Sequence, residues 1–274
     1  MSEEVLYEVR GPKTLYEMTA KELKEAVKTA KTAVIGFGAT EDHASHLPLC
    51  CDTLQGTELI KRIAVKLTER GMPAVATFCI PFGVQTNAFE RPDYMYGNIC
   101  VSQDTYIRMV TDISLELVKT GFERLVFSLN HAENFAALNV VAKDLGDIHG
   151  IPVIVADLVP PMLDEWPKFL KNAKHQGHAG EDETACVMVV APNLINLDGV
   201  VSYHPPEDKT PPVKDAGLFY YGGAVGIYTP VEEDLSPGYV GDPFDATVEE
   251  GEKCYELYAD WTVDVVMKYW SKLK

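Results

Sequence analysis

The chain has 274 residues, of which 46% are hydrophobic and 24% charged, so it is long enough to bury a large core and has the composition of an ordinary globular protein. We expect one domain over residues 1–274. The net charge of -17 repels phosphate backbones and anionic lipids, and no stripe of Lys and Arg reverses it locally, which excludes nucleic acids and membrane surfaces as expected partners.

The first predicted element is a helix near the N-terminus. Thr19 and Glu22 have the spacing of a capping box, and Met18 is placed to act as a hydrophobic staple. We expect this helix to run from Thr19 towards Lys31 and to lead into the first strand.

After this helix, short apolar runs alternate with segments of helical periodicity. The spacing of Ile60, Ile63 and Leu67 is typical of an amphipathic helix. The predicted strands are residues 32–37, 74–78, 124–129 and 151–156, and further helices are predicted at residues 134–149, 183–190 and 249–273. This alternation predicts βαβ units, and therefore an α/β fold with a mostly parallel β-sheet flanked by helices.

The segment between residues 203 and 247 is rich in Pro and Gly. It contains two Pro-Pro pairs and a Gly-Gly pair, which predict long ordered loops rather than regular elements. Loops of this length usually serve a binding site or a subunit contact. The aromatic run at residues 219–221 suits such a contact, and core packing accounts for it equally well.

Cysteine usage and the N-terminal residues indicate the compartment. The six cysteines show no CxxC spacing and are sparse for the length, which favours reduced thiols over a disulfide framework. Residues 1–5 are acidic where a signal peptide would be basic and then apolar, and no apolar run is long enough to span a bilayer. We therefore expect a cytoplasmic protein.

Acidic and imidazole side chains follow two of the predicted strands. Glu41 and His43 come just after the first strand, and His131 and Glu133 come just after the third. Loops at the carboxyl ends of parallel strands gather at one edge of the sheet, and residues at i and i+2 of an extended segment project to the same side. With Asp52 as a bridging carboxylate, these groups predict a pair of hydrolytic divalent metal ions. A structural network of carboxylates and imidazoles is the alternative.

Five segments, in order along the chain, carry a specific resemblance. They are GFGATEDHASHLPL at residues 36–49 with Asp52 and Thr53, NHAEN at 130–134, GHAGEDET at 177–184, YHPP at 203–206, and GDP at 241–243 with Ala246 and Thr247. Together they resemble the signature of the creatininase (creatinine amidohydrolase) family.

The resemblance implies roles for seven residues. One metal ion would be bound by Glu41, Asp52 and His131, and the other by His43, Asp52 and Glu133. His178 would be the acid-base residue that gives a proton to the leaving nitrogen, because imidazole titrates near neutral pH. Glu183 would act beside it in catalysis, as a partner of the ligands or as an alternative ligand. From the residues alone, His178 also fits a surface loop histidine, and Glu183 fits a solvent-facing carboxylate in the first turn of a helix.

The resemblance also implies a reaction and an assembly. We expect hydrolysis of a C–N bond in a cyclic amide or related small molecule by two divalent ions per chain, with zinc favoured over manganese or iron and with no organic cofactor. Hydrolysis of a cyclic keto-sugar or lactone is the alternative. A homo-oligomer is expected, with the hexamer as its implied form, and a catalytically silent metal-binding subunit is a hypothesis of another class.

For several residues around the predicted site, the sequence allows two roles. Cys50 and Cys51 are soft donors beside Asp52, yet adjacent cysteines rarely both fit one ion, so we interpret them as pocket lining. His46 suits either the orientation of a ligand or the capping of a loop. Two aromatics, Trp166 and Phe169, suit a lid over a flat ring, and packing is the interpretation that we favour for Phe169.

Overall fold

A parallel β-sheet forms the centre of the protein. The structure is a computed structural model and describes residues 8–84, 96–171, 177–204 and 238–272. In these residues the sheet has four strands, in the order β2-β1-β3-β4 and all parallel: β1 Thr32–Phe37, β2 Ala74–Ile80, β3 Arg124–Leu129 and β4 Val153–Asp157. The predicted α/β fold with a parallel sheet is confirmed, and β1 and β3 have the predicted bounds.

Seven α-helices surround this sheet in the described part of the chain. They are α1 Ala20–Ala26, α2 Cys51–Glu69, α3 Gln103–Thr120, α4 Phe135–His149, α5 Val159–Met162, α6 Glu181–Val190 and α7 Val248–Trp270. Short 3₁₀ segments occupy Leu15–Glu17, Ala132–Asn134, Trp166–Lys168, Pro192–Leu194 and Pro243–Asp245.

The first helix forms as predicted at its start and ends earlier than predicted. Thr19 and Glu22 make the reciprocal hydrogen bonds of a capping box. The prediction that the helix runs towards Lys31 is wrong, because α1 ends at Ala26. The N–H groups of Lys28 and Thr29 donate to carbonyls three residues back, so the chain tightens into a turn before β1 begins.

The core lies on both faces of the sheet because successive strand side chains point to opposite sides. In β1, every residue is buried. Val34 packs with α2 and α7 on one face, whereas Ile35 and Phe37 pack with α3 and α4 on the other. Such continuous apolar runs are typical of parallel strands that are covered on both sides.

The register of the sheet brings two site loops to the same level. Phe37 and Leu129, the last residues of β1 and β3, are paired partners in neighbouring strands. The loops that follow them therefore leave the same edge of the sheet side by side, which is where ligands collect in parallel α/β folds.

The predicted long loops are described only at their two ends. Tyr203 and Gly241 exchange backbone hydrogen bonds of 3.0 and 2.7 Å and so join these ends. Residues 205–237, including the aromatic run at 219–221, lie outside the described residues. Among the helices described, none has the length and apolar character needed to cross a membrane.

Candidate metal centre

Six of the seven predicted site residues meet at the carboxyl edge of the sheet. The loop after β1 supplies Glu41 and His43, the first turn of α2 supplies Asp52, and the segment after β3 supplies His131. The loop before α6 supplies His178, and the first turn of α6 supplies Glu183. The ligand atoms of these six residues and of Cys51 form three groups, each with its members within 4.8 Å of one another: Glu41, Asp52 and His131; Glu41, His43 and His178; and His43, Cys51 and Glu183.

The first group is built around the imidazole of His131. Nδ1 of this ring lies 3.0 Å from Oε2 of Glu41 and 3.3 Å from Oδ2 of Asp52. Its Nε2 lies 3.0 Å from the carbonyl oxygen of Val84, which can only accept, so Nε2–H is the donor there. The Nδ1 lone pair of a neutral His131 would therefore face two buried carboxylates, and a cation is needed between them.

His43 is oriented in the same manner by a backbone carbonyl. Its Nδ1 donates to the carbonyl oxygen of Glu41 at 3.1 Å, which leaves the lone pair on Nε2. Nε2 lies 3.0 Å from Oδ1 of Asp52 and 3.5 Å from Oε2 of Glu183, and it makes no hydrogen bond of proper geometry. Metal-binding histidines are typically held by a hydrogen bond from the other ring nitrogen, as here.

Asp52 connects the two imidazoles. Oδ1 faces His43 and Oδ2 faces His131, and Oδ2 is a buried atom with no hydrogen-bond partner. The close approach of Gly38 sets this position, because a Cβ on Gly38 would lie 3.0 Å from backbone and Cβ atoms of Asp52. Two ligands on one tetrahedral zinc ion, each at ~2.0–2.1 Å, stand about 3.3 Å apart, so donor spacings of 3.0 to 3.5 Å fit metal ions on both sides of this carboxylate.

The electrostatics of the group also call for positive charge. Burial acts to raise the pKa of Glu41, but the charge of His131 lowers this pKa to about 2. The pKa of Asp52 is likewise held below its usual value, by His43 and His131 against burial. Burial opposes the charging of His131, yet Glu41 and Asp52 raise its pKa well above the usual value. The carboxylates thus stay ionised, and either protonated imidazole rings or metal ions balance their negative charge.

His178 lies at the rim of the same cluster. Its ring centre is 4.5 Å from that of His43, and its Nε2 donates to the carbonyl oxygen of Asp42 at 2.6 Å. The next residue, Ala179, has a φ of 51° in the left-handed region, and its carbonyl accepts a 3.0 Å hydrogen bond from Nε2 of the buried His46. Of the two interpretations of His46, the structure therefore favours the capping of a loop.

Glu183 has a carboxylate oxygen near His43. Oε2 of Glu183 accepts from the backbone N–H of Ala179 at 2.7 Å and belongs to the group with His43 and Cys51. Its partial burial raises its pKa, although His43 acts to lower it. Glu133 belongs to none of the three groups.

The local backbone explains the position of Glu133. We expected His131 and Glu133 to share an extended segment, but residues Ala132–Asn134 form a 3₁₀ turn. In such a turn, residues two apart point about 120° away from each other rather than to the same side. The expectation of an extended segment is wrong at this point, and the role of Glu133 as a ligand stays a prediction.

The two candidate lid aromatics pack into the protein. Trp166 is buried in the core cluster of α2 and α7, and Phe169 packs against the same cluster with the Lys253 ammonium 4.3 Å from its ring centre. No pattern in the sequence predicts that the carbonyl of Val84 orients His131, because the two residues are 47 positions apart.

The comparisons with known sequences agree with one another. A family model described as Creatininase: Creatinine amidohydrolase matches residues 16–266. The creatinine amidohydrolase of Pseudomonas putida is 26% identical over 210 residues, covering 71% of this chain and 78% of that protein. A 3-dehydro-scyllo-inosose hydrolase of Thermotoga maritima is 22% identical over 268 residues (91% and 81%), and a mycofactocin precursor peptide peptidase of Mycobacterium ulcerans is 21% identical over 263 residues (96% and 95%).

Solved structures show the same fold. A crystal structure of creatinine amidohydrolase superposes with a TM-score of 0.69 at 21% identity, covering 94% of this chain and 98% of that one. A structure described as Creatininase Mn superposes with a TM-score of 0.68 at 22% identity, with 93% and 98% coverage. A creatininase variant described as of Zn-Zn type also scores 0.68, at 21% identity and with 94% and 98% coverage.

Proposed function

The chain belongs to the creatininase family, and on this basis we propose that it is a hydrolase that uses two divalent metal ions to cleave a C–N bond in a cyclic amide or a related small molecule. The observation that carries the proposal is the position of Asp52. Its two carboxylate oxygens face the imidazoles of His43 and His131, each of which has its other nitrogen bound to a backbone carbonyl.

Two metal positions follow from the donor atoms. The first would be held by Glu41, Oδ2 of Asp52 and Nδ1 of His131. The second would be held by Nε2 of His43, Oδ1 of Asp52 and Glu183, the alternative to Glu133, which the family resemblance implied. Divalent ions held by these residues would supply Lewis-acid polarisation of a scissile carbonyl and would lower the pKa of a water molecule towards neutral pH. Zinc suits these nitrogen and oxygen donors, and manganese or iron are the alternatives.

His178 would handle the proton. Because its Nε2–H donates to the carbonyl of Asp42, Nδ1 is the nitrogen that is left to accept a proton from the nucleophile and to give it to the leaving nitrogen. The hydrogen bond from His46 to Ala179 holds the loop that carries this ring. Glu183 fixes the same loop from the other side by accepting from the N–H of Ala179.

A cyclic keto-sugar or lactone is the second candidate substrate class. The Thermotoga maritima relative, which is named as a hydrolase of such a compound, matches 91% of this chain. Cleavage of a C–C or C–O bond would require the same polarised carbonyl and the same attacking water, so the metal centre alone does not separate the two classes.

Two further properties complete the proposal. The protein would act on its small-molecule substrate as a homo-oligomer, with the hexamer as the expected form, and sedimentation analysis tests this. We propose that the protein is located in the cytoplasm, because its six cysteines are free in the structure.

The deciding experiment compares the metal content and turnover of the wild-type protein with those of Asp52→Asn. Asp157→Asn is a matched control, because Asp157 ends the neighbouring strand β4 and belongs to none of the ligand groups. Turnover is measured on a panel of cyclic amides, formamides and cyclic keto-sugars.

Two ions per chain in the wild type and the control, with both metal and turnover lost in Asp52→Asn, would support the proposal. Turnover of keto-sugars alone would assign the second substrate class. A wild-type protein that binds no divalent metal would overturn the proposal, and full metal occupancy without turnover of any compound would favour a silent subunit.

A further inference from the structure

Cys51 has a position that the sequence did not reveal. It is the first residue of α2, directly before Asp52, and its side chain is fully buried. Its Sγ belongs to the group with His43 and Glu183, in which all ligand atoms lie within 4.8 Å of one another. We interpreted both adjacent cysteines from the sequence as lining, but only Cys50 lies outside these groups.

An independent observation points to a ligand at this position. Nε2 of His43 is buried and lacks a hydrogen bond, while Nδ1–H of the same ring donates to a carbonyl. In a neutral His43, the Nε2 lone pair therefore lies among the ligand atoms of Asp52, Cys51 and Glu183. A buried lone pair without a partner is costly unless a cation accepts it.

A third contact supports the sulfur as a donor. The side-chain amide of Gln55, one helical turn after Cys51, donates to Sγ at 3.0 Å, and Gln55 is itself buried. Hydrogen bonds to a ligating sulfur are typical outer contacts of metal centres, where they orient the ligand and tune its donor strength.

We propose that Cys51 is a thiolate ligand of the metal position built on His43 and Glu183, and that it makes this position selective for a thiophilic ion. The donors there would be nitrogen, sulfur and oxygen, a set that suits Zn²⁺, Co²⁺ or Cd²⁺ better than Mn²⁺ or Mg²⁺. The position built on Glu41, Asp52 and His131 has only nitrogen and oxygen donors, so the two positions would differ in metal preference. This inference rests on the proposed metal centre.

Cobalt substitution tests the ligand directly and without activity. Apoprotein loaded with Co²⁺ should show visible ligand-field bands from bound cobalt and, in addition, a sulfur-to-cobalt charge-transfer band in the near ultraviolet. The charge-transfer band should be absent in Cys51→Ser and present in Cys50→Ser, the matched control at the neighbouring thiol.

The outcomes separate this inference from the proposed function. Ligand-field bands without a charge-transfer band in the wild type would overturn the role of Cys51 and leave the metal centre intact. The absence of all cobalt bands would overturn both. A charge-transfer band that persists in Cys51→Ser and disappears in Cys50→Ser would identify Cys50 as the sulfur donor and overturn the role of Cys51.

Two further measurements guard against a variant that does not fold. X-ray absorption at the zinc edge of the wild-type protein should show a sulfur neighbour at about 2.3 Å beside nitrogen and oxygen neighbours at about 2.0–2.1 Å, and only nitrogen and oxygen would contradict the proposal. In a competition between Cd²⁺ and Mn²⁺, the preference of the folded protein for Cd²⁺ should fall at least about tenfold in Cys51→Ser, because this change removes a soft sulfur donor. An unchanged preference would count against the role of Cys51.

Discussion

Oε2 of Glu183 lies 3.5 Å from Nε2 of His43 and also accepts a 2.7 Å hydrogen bond from the backbone N–H of Ala179. One carboxylate therefore connects the proposed second metal position with the loop that carries His178. A change at Glu183 is expected to affect metal binding and the placement of the catalytic loop together.

The first prediction compares Glu183 and Glu133, the two candidate ligands of the proposed second metal position. We expect Glu183→Gln to lower the metal content from two ions to one per chain, because it removes a charged oxygen beside His43. Glu133→Gln is the matched control and should keep both ions, since Glu133 lies in a 3₁₀ turn outside the ligand groups. Elemental analysis of dialysed protein measures this, and loss of an ion in the control alone would restore the assignment from the sequence.

The second prediction concerns the proton transfer that we propose for His178. We expect His178→Gln to lower kcat by about 10²–10⁴-fold, the usual contribution of general acid-base catalysis, with both metal ions retained. His149→Gln, at the exposed end of α4, is the matched control and should leave kcat unchanged. If the His178 variant loses metal in proportion to activity, the ring is a ligand and not the proton carrier.

The third prediction concerns the effect of the buried His46 on the stability of the folded protein at acidic pH. Burial lowers the pKa of this imidazole to about 4, from a usual value near 6.5. The unfolded chain therefore binds more protons between these pH values, and stability is lost as pH falls from about 6.5 to 4. The full loss from this group is about 3 kcal/mol.

His46→Gln should remove this part of the pH dependence while its amide still donates towards the carbonyl of Ala179. Urea unfolding of both proteins at pH 7 and pH 4.5, with a chelator present, measures the free energies of unfolding. We expect the wild type to lose more stability than the variant over this range. Equal losses would show that His46 does not titrate in this way.

The fourth prediction concerns Asp157, at the end of β4. Burial raises the pKa of its carboxyl to about 6, although the N–H of Val159 donates to it at 3.2 Å. The folded state therefore resists ionisation, so stability is fully present below about pH 4 and is lost as pH rises through 6.

Asp157→Asn removes the charge and keeps an acceptor for Val159. We expect the variant to be more stable than the wild type at pH 7.5 by up to about 2–3 kcal/mol, and this advantage should shrink at pH 5. Urea unfolding at the two pH values measures the difference. An advantage that is the same at both values would exclude titration of Asp157 as its cause.

The strands were predictable because their signal is local. The apolar runs at β1 and β3 follow charged residues, end before Gly38 and Asn130, and are buried on both faces, so their bounds could be read directly. The end of α1 was less predictable. The i→i+3 hydrogen bonds of Lys28 and Thr29 depend on how the chain must turn to enter β1.

The candidate site was also predictable only where the signal is local. The spacing of Glu41 and His43 after one strand, and of His131 after another, predicted that these groups converge, since parallel strands end at one edge of the sheet. The spacing of His131 and Glu133 predicted an extended segment, and this was wrong, because the backbone forms a 3₁₀ turn at Ala132–Asn134.

The sequence by itself determined the α/β class, the order of the strands along the chain and the residue types of the centre, since these depend on periodicity and on motif letters. Only the tertiary structure decided which carboxylate faces His43, that Cys51 turns its sulfur inward, and that the carbonyl of Val84 orients His131. Such contacts join atoms from segments far apart in the chain, and their geometry follows from strand register and helix placement, which no local pattern encodes.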